Sequence, residues 1–99
     1  MAAKVTWSPL AQQSFDNLIS FLEKNWEHKV IQNLFSEINS ALNLISEYPE
    51  MFPLISSAKK LRKCVIKRKT ILIYRVKSLN SIELVIFADS RQNPKKYKF

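Results

Sequence analysis

Hydrophobic positions change their period once along the 99-residue chain, and the change divides it in two. In the first part Phe15, Leu18, Ile19, Leu22 and Trp26 recur at three- and four-residue intervals, as on one face of an α-helix. Ser8-Pro9 stands just before them. Serine caps a helix well, and proline at the first helical position gives up only a donor that has no partner there. A helix is therefore expected over residues 9–25. Val30, Ile31, Leu34, Phe35, Ile38, Leu42 and Ile45 repeat the spacing and predict a second helix over 27–47. With almost no linker between them, the two should fold back as an antiparallel hairpin. Pro49 and Pro53 end the helical pattern, and YPEMFPLISSAKK reads as a crossing segment.

Beyond residue 60 alternation replaces helical spacing. Strands are expected at about 61–67, 70–77 and 82–88, joined by short turns at Arg68-Lys69 and Ser78-Leu79-Asn80-Ser81. ELVIFA in the last strand is apolar on both faces, which marks an interior strand. The β-forming segment Val5-Thr6-Trp7 is the one available to fill its free side. The pattern predicts a single α+β domain over residues 1–99, with the helical hairpin on one face of a four-stranded, mainly antiparallel sheet. Alternation puts Arg62, Cys64 and Ile66 on one face of the first meander strand, opposite Lys63, Val65 and Lys67. In the next strand Ile71, Ile73 and Arg75 oppose Leu72, Tyr74 and Val76.

Charge adds what periodicity lacks. The net charge is +8, but residues 1–58 hold a balance of −3 and residues 59–99 a balance of +11. Segregation this sharp suggests a cationic surface for nucleic acid or an acidic protein; Arg62, Lys63, Arg68, Arg75, Lys95 and Lys96 are the candidate contacts. With 46% apolar residues the chain should be globular. It contains no glycine, which excludes the phosphate-cradling loops that require it. One cysteine, Cys64, cannot form an internal disulfide, and no cluster of metal-ligating side chains accompanies it. It reads as a small buried hydrophobe. The opening MAAKVTWSP has no apolar stretch of signal-peptide length and no run is long enough for a membrane span, so a cytoplasmic protein without membrane association is expected.

Familiar catalytic sets are missing. His28 is the single histidine, placed on the helical hairpin and expected exposed, and Glu83 and Asp89 are not a spaced carboxylate pair. No metal or cofactor is expected. Any chemistry must use lysine, arginine and tyrosine, which can stabilise a phosphorane and move protons if neighbouring charge depresses a pKa.

The order VTWSP, EKNW, EYPEMFP, LRKCVIKRKTILIYRV and IELVIFADSRQNPKK resembles the RelE/ParE superfamily of toxins from bacterial type II toxin–antitoxin modules, over essentially the whole chain. The resemblance implies a growth-inhibiting toxin, of the plasmid-stabilisation kind, neutralised by a cognate antitoxin. RelE-like members cleave ribosome-bound mRNA; ParE-like members inhibit DNA gyrase. Arg91 and Tyr97 fall where the RelE-like tail has its arginine and tyrosine, and Lys67 and Lys69 lie roughly where its sheet lysines lie. These four would be catalytic in a RelE-like enzyme. The third-strand arginine of that pattern is absent, since Ile71 stands there and Arg75 lies further along. The long hairpin and the LRK…YRV layout look more ParE-like, so activity on gyrase is slightly favoured and enzymatic activity is left open. A non-toxic nucleic-acid-binding module is the competing class, supported by charge alone. Asp89 and Asn93 are expected to fix the tail locally, leaving Arg91 to project from the site; the competing expectation is Arg91 as a salt-bridged anchor.

Overall fold

The computed structural model describes residues 3–91. Its elements are β1 (Lys4–Trp7), α1 (Pro9–Asn25), α2 (His28–Glu47), β2 (Leu54–Ser56), β3 (Leu61–Ile66), β4 (Thr70–Ser78) and β5 (Ser81–Asp89). The strands form one sheet in the order β1-β5-β4-β3-β2. β1 runs parallel to β5, with Trp7 opposite Leu84, and the other neighbours are antiparallel. The α+β order, the hairpin and the interior position of β5 agree with the sequence reading.

The sheet has five strands, not four. The fifth is β2, three residues inside the segment read as a crossing, with Leu54 opposite Arg62. Three residues are too few to show alternation, and two of them, Leu54 and Ile55, are exposed. The β3–β4 turn also shifts by one residue. Ile66 pairs with Thr70, so Lys67 leaves the strand and Lys67-Arg68 occupy the turn centre.

Both helices pack on the sheet face that carries Cys64, Ile66, Leu72, Tyr74, Ile82, Leu84 and Phe87. Their inner residues Leu18, Leu22, Ile31, Leu34, Ile38 and Ile45 complete that core. The hairpin turns at Trp26 and Glu27, and Phe15 of α1 meets Phe35 of α2 at 5.8 Å between ring centroids. Trp7 and Phe87 pack against the same Phe15, so the aromatic group ties both helices to β1 and β5. On the opposite sheet face, cross-strand rows run Lys63–Ile73–Ile86 and Val65–Ile71–Ala88.

β5 has nine residues and β1 only four. Past Leu84, therefore, the backbone of β5 has no strand beside it on the β1 side. Two serines of the α1 region take over. The Ser8 hydroxyl donates to the Val85 carbonyl (2.9 Å) and accepts from the Ala11 N–H (3.0 Å), capping the helix in the same place. The Phe87 N–H donates to the buried Ser14 hydroxyl (2.9 Å), which in turn donates to the Ala11 carbonyl (3.0 Å). The extra residue Val85 marks a bulge: Ile73 faces Ile86, whereas Tyr74 faces Leu84.

Leaving a buried N–H unpaired costs about 1–3 kcal/mol. Ser14→Ala strands the Phe87 N–H and should lower the melting temperature by on the order of 10 °C in a domain of this size. Thermal unfolding followed by circular dichroism reads the shift. An unchanged midpoint would mean that Phe87 does not depend on Ser14.

Candidate functional site

Three of the four arginines among the described residues are held by the protein itself. Arg62 Nη1 donates to the carbonyls of Glu50 (3.1 Å) and Phe52 (2.8 Å), with the Glu50 carboxylate 3.9 Å from Nη2. It clamps the crossing segment onto β3. Beside it the buried Tyr74 hydroxyl donates to the Pro49 carbonyl (2.7 Å), and burial pushes its pKa up to about 12. Arg75 Nη1 pairs with Glu83 across the β4–β5 ladder at 3.0 Å, and Nε donates to the Lys59 carbonyl. Sequence reasoning placed Arg62 and Arg75 among the contacts for a partner. The geometry gives both a structural task.

Arg91 is likewise committed. Its Nε and Nη2 donate to the two oxygens of Asp89, each at 2.7 Å, and its backbone N–H donates to Oδ1 at 2.9 Å. The Asp89 side chain is fully buried and also accepts from the Thr70 hydroxyl. The guanidinium carbon lies 5.8 Å from the centre of the Trp26 ring, so the latch ties the end of β5 to the helix–helix junction. Burial opposes ionisation of Asp89, yet the bonds from Arg91 and Thr70 outweigh it and hold the carboxyl below its ordinary value. The same pair raises the pKa of Arg91. The expectation of an Arg91 projecting freely is thus corrected: a short Arg-to-Asp loop with two parallel bonds gains more than an exposed guanidinium would. Asn93, Lys95, Lys96 and Tyr97 lie outside the described residues.

A cleft of about 490 Å³ opens between α2 and the β3–β4 turn, lined by Val30, Asn33, Leu34, Glu37, Lys67, Lys69, Thr70 and Arg91. It brings together Lys67, Lys69 and Arg91, far apart in the chain and all anticipated as site residues. Its lining combines the apolar Val30 and Leu34 with three cations. Glu37 reaches Lys67 at 3.7 Å, a solvent-exposed contact of little energetic consequence. Lys63, Arg68 and Lys69 make no ion pair among the described residues.

The turn is strained. Lys67 and Arg68 have φ of 51° and 65°, and the Lys69 N–H donates to the Ile66 carbonyl at 3.3 Å, the pattern of a type I′ hairpin. Asparagine and glycine suit those positions; a longer side chain in the left-handed region costs roughly 1–2 kcal/mol. Lys60, at the other end of β3, also has positive φ (57°). No sequence signal announced this, because lysine and arginine are not turn residues. Cys64 is buried, which pushes its thiol up to about 11 and removes it from nucleophilic chemistry near neutral pH. His28 opens α2 and is exposed. Among the described residues no group of His, Cys, Asp and Glu is arranged to hold a metal, and no helix is long and apolar enough to cross a membrane.

The latch yields a pH prediction. Asp89 has a depressed folded-state pKa, so its stabilisation is full above the unfolded value of about 3.9 and is lost as pH falls through the folded one. Asp89→Asn should cost about 3 kcal/mol at pH 7, near the low end for opening a buried pair because Arg91 keeps a wet edge. The gap between variant and parent should narrow steadily below about pH 4. Urea unfolding at pH 7, 5, 4 and 3 measures it. A gap independent of pH would contradict an ionised, latched Asp89.

None of the curated protein sequences matches the chain. Among solved structures it is similar to a chain of the chromosomal ParDE TA system from P. aeruginosa. That match has a TM-score of 0.72 at 12% identity and covers 89% of this chain and 96% of the other. It is also similar to the conserved hypothetical protein HP0894 from Helicobacter pylori, with a TM-score of 0.58, 21% identity, and 92% and 97% coverage. At such identities these likenesses establish the fold. Residues 5–94 match the model of the ParE toxin of the type II toxin–antitoxin system parDE, from β1 through the tail, and the chain therefore belongs to the ParE toxin family.

Proposed function

We propose that this toxin acts on DNA gyrase and is held inactive by a cognate antitoxin seated on the outer face of the sheet. The observation that carries the choice of target is the latched state of Arg91. Of the residues a RelE-like nuclease would use, its tail arginine commits its Nε and Nη2 donors to Asp89, and Ile71 occupies the third-strand position where that pattern has an arginine. Stabilising a developing charge on phosphate calls for donors aimed at the ligand, not at a buried carboxylate. Family membership supports the gyrase reading from a separate direction.

The outer face suits a partner that is both apolar and acidic. A groove of about 450 Å³ beside β2 is lined by Ile55, Ser56, Lys59, Leu61 and Lys63, and Val65 is half-exposed further along β3. An extended or helical antitoxin segment with aliphatic anchors and carboxylates meets both demands, and its ordering on binding offsets part of the gain.

A RelE-like endoribonuclease is the second reading, favoured by one observation: Lys67, Lys69 and Arg91 all line one cleft. The purified toxin should inhibit gyrase supercoiling and leave ribosome-bound mRNA intact. Expression alone should arrest bacterial growth, and co-expression of the antitoxin should restore it. Ribosome-dependent cleavage with unaffected gyrase would reverse the choice of target. Harmless expression at soluble levels that suffice for other toxins would remove the toxin reading for this chain.

A further inference from the structure

Among the described residues, eight cations in and around the sheet fall into two groups that the sequence does not distinguish. Arg62, Arg75 and Arg91 are consumed by internal carbonyls and carboxylates. Lys59, Lys60, Lys63 and Arg68 have no ion pair among the described residues, and Lys67 has only the loose contact with Glu37. All five belong to β3 or to the turns that close its two ends; Lys69, likewise without an ion pair among the described residues, leads into β4. From Lys60 to Lys67 the strand rise spans about 23 Å, with Lys63 near the middle. One strand of a B-form duplex carries about seven phosphates over that length.

The backbone supplies an observation independent of charge. Three described residues have positive φ, and they are Lys60, Lys67 and Arg68, at both ends of this one strand. Asparagine, which the chain uses elsewhere, would occupy those positions with less strain. Strain held at exposed side chains, of which Lys67 alone has an internal ion pair and that a loose one, points outward, to a ligand.

We infer that β3 and its two turns form a contact surface for a phosphodiester backbone, with Lys59, Lys60, Lys63, Lys67 and Arg68 as the contacting cations and the structural arginines excluded. The surface holds whichever target the toxin acts on. It also overlaps the groove offered to the antitoxin at Lys59 and Lys63, so an antitoxin bound there displaces the nucleic acid.

Fluorescence anisotropy with a 20-mer duplex DNA, the matching single-stranded DNA and a single-stranded RNA tests this, with a polyglutamate peptide as the acidic-protein control. Five phosphate contacts on duplex predict a slope of log K against log salt of about −4.5, a loss of a few hundred-fold between 50 and 200 mM. Lys63→Gln should make the slope shallower by about 0.9. The paired change Lys67→Asn with Arg68→Gly should remove about 1.8 from it while raising the melting temperature, because the turn then has residues suited to positive φ. That combination separates lost contact from lost fold. Lys24→Gln and Lys29→Gln, on the helical hairpin, should leave the slope unchanged. The three oligonucleotides differ in geometry, so their ranking identifies which nucleic acid is bound. The inference is overturned if the β3 variants keep the parental slope, if replacing Lys95 and Lys96 alone abolishes binding, or if polyglutamate binds more tightly than every oligonucleotide. Gyrase and mRNA assays on the same preparations report separately on the proposed target, so the two readings fail independently.

Discussion

The structure rests on how the backbone of β5 is satisfied on the side away from β4. β5 is the centre of the core, since β1, β4 and α1 all pack against it. Yet β1 accompanies it only as far as Leu84. Buried amides and carbonyls left without partners would cost more than the local packing returns. The chain answers with hydroxyls on the helix that lies over the same strand. Ser8 and Ser14 bond to Val85 and Phe87, and each also bonds within α1. The position of α1 is therefore set by directional bonds, and the Trp7–Phe15–Phe35–Phe87 aromatic group then brings α2 into register with it.

From that arrangement follows the place of the functional surface. With α1 fixed on β5, α2 reaches toward β3 and leaves the cleft at the β3–β4 turn. The Asp89–Arg91–Thr70 latch closes the far end of β5 against Trp26, so one wall of the cleft is bonded to the helix junction. The opposite wall is the strained turn. Rigid arginine anchors and exposed lysines thus occupy the same few strands for different ends. Arginine's planar fork suits fixed carbonyls and carboxylates, whereas lysine, on a flexible stem, keeps its charge in water until a partner arrives.

Much of the fold was legible from residues alone. The 3.6-residue period located both helices, Ser8-Pro9 located the start of the first, and the doubly apolar ELVIFA run required a neighbour on each side of β5. Those signals are local or follow from a single burial constraint. β2 escaped because three residues carry no period, and its pairing with β3 is visible only once the crossing segment is clamped by Arg62. Ser14 escaped too: a serine on a helix has no feature that tells a solvent-facing hydroxyl from one bonded to an amide 73 residues away.

The sequence by itself determined the α+β class, the segregation of positive charge into the second part of the chain, and a resemblance that the ParE family match bears out. For a RelE-like enzyme the resemblance named Lys67, Lys69, Arg91 and Tyr97; the first three line one cleft, and Tyr97 lies outside the described residues. Tertiary structure alone decided what each cation does. A charge count gives every arginine and lysine the same weight, but whether one is free depends on the carbonyls and carboxylates that the fold places within bonding distance. For Arg62 those groups are 10 and 12 residues back along the chain, and for Arg75 and Arg91 they are carboxylates 8 residues ahead and 2 behind. Only the folded backbone brings those of Arg62 and Arg75 into reach, and only the fold buries Asp89 beside Thr70 as the partner of Arg91. The positive φ at Lys60, Lys67 and Arg68 has the same origin, because strand register, set by the buried partners of Cys64, Ile66 and Thr70, dictates where the turns must fall.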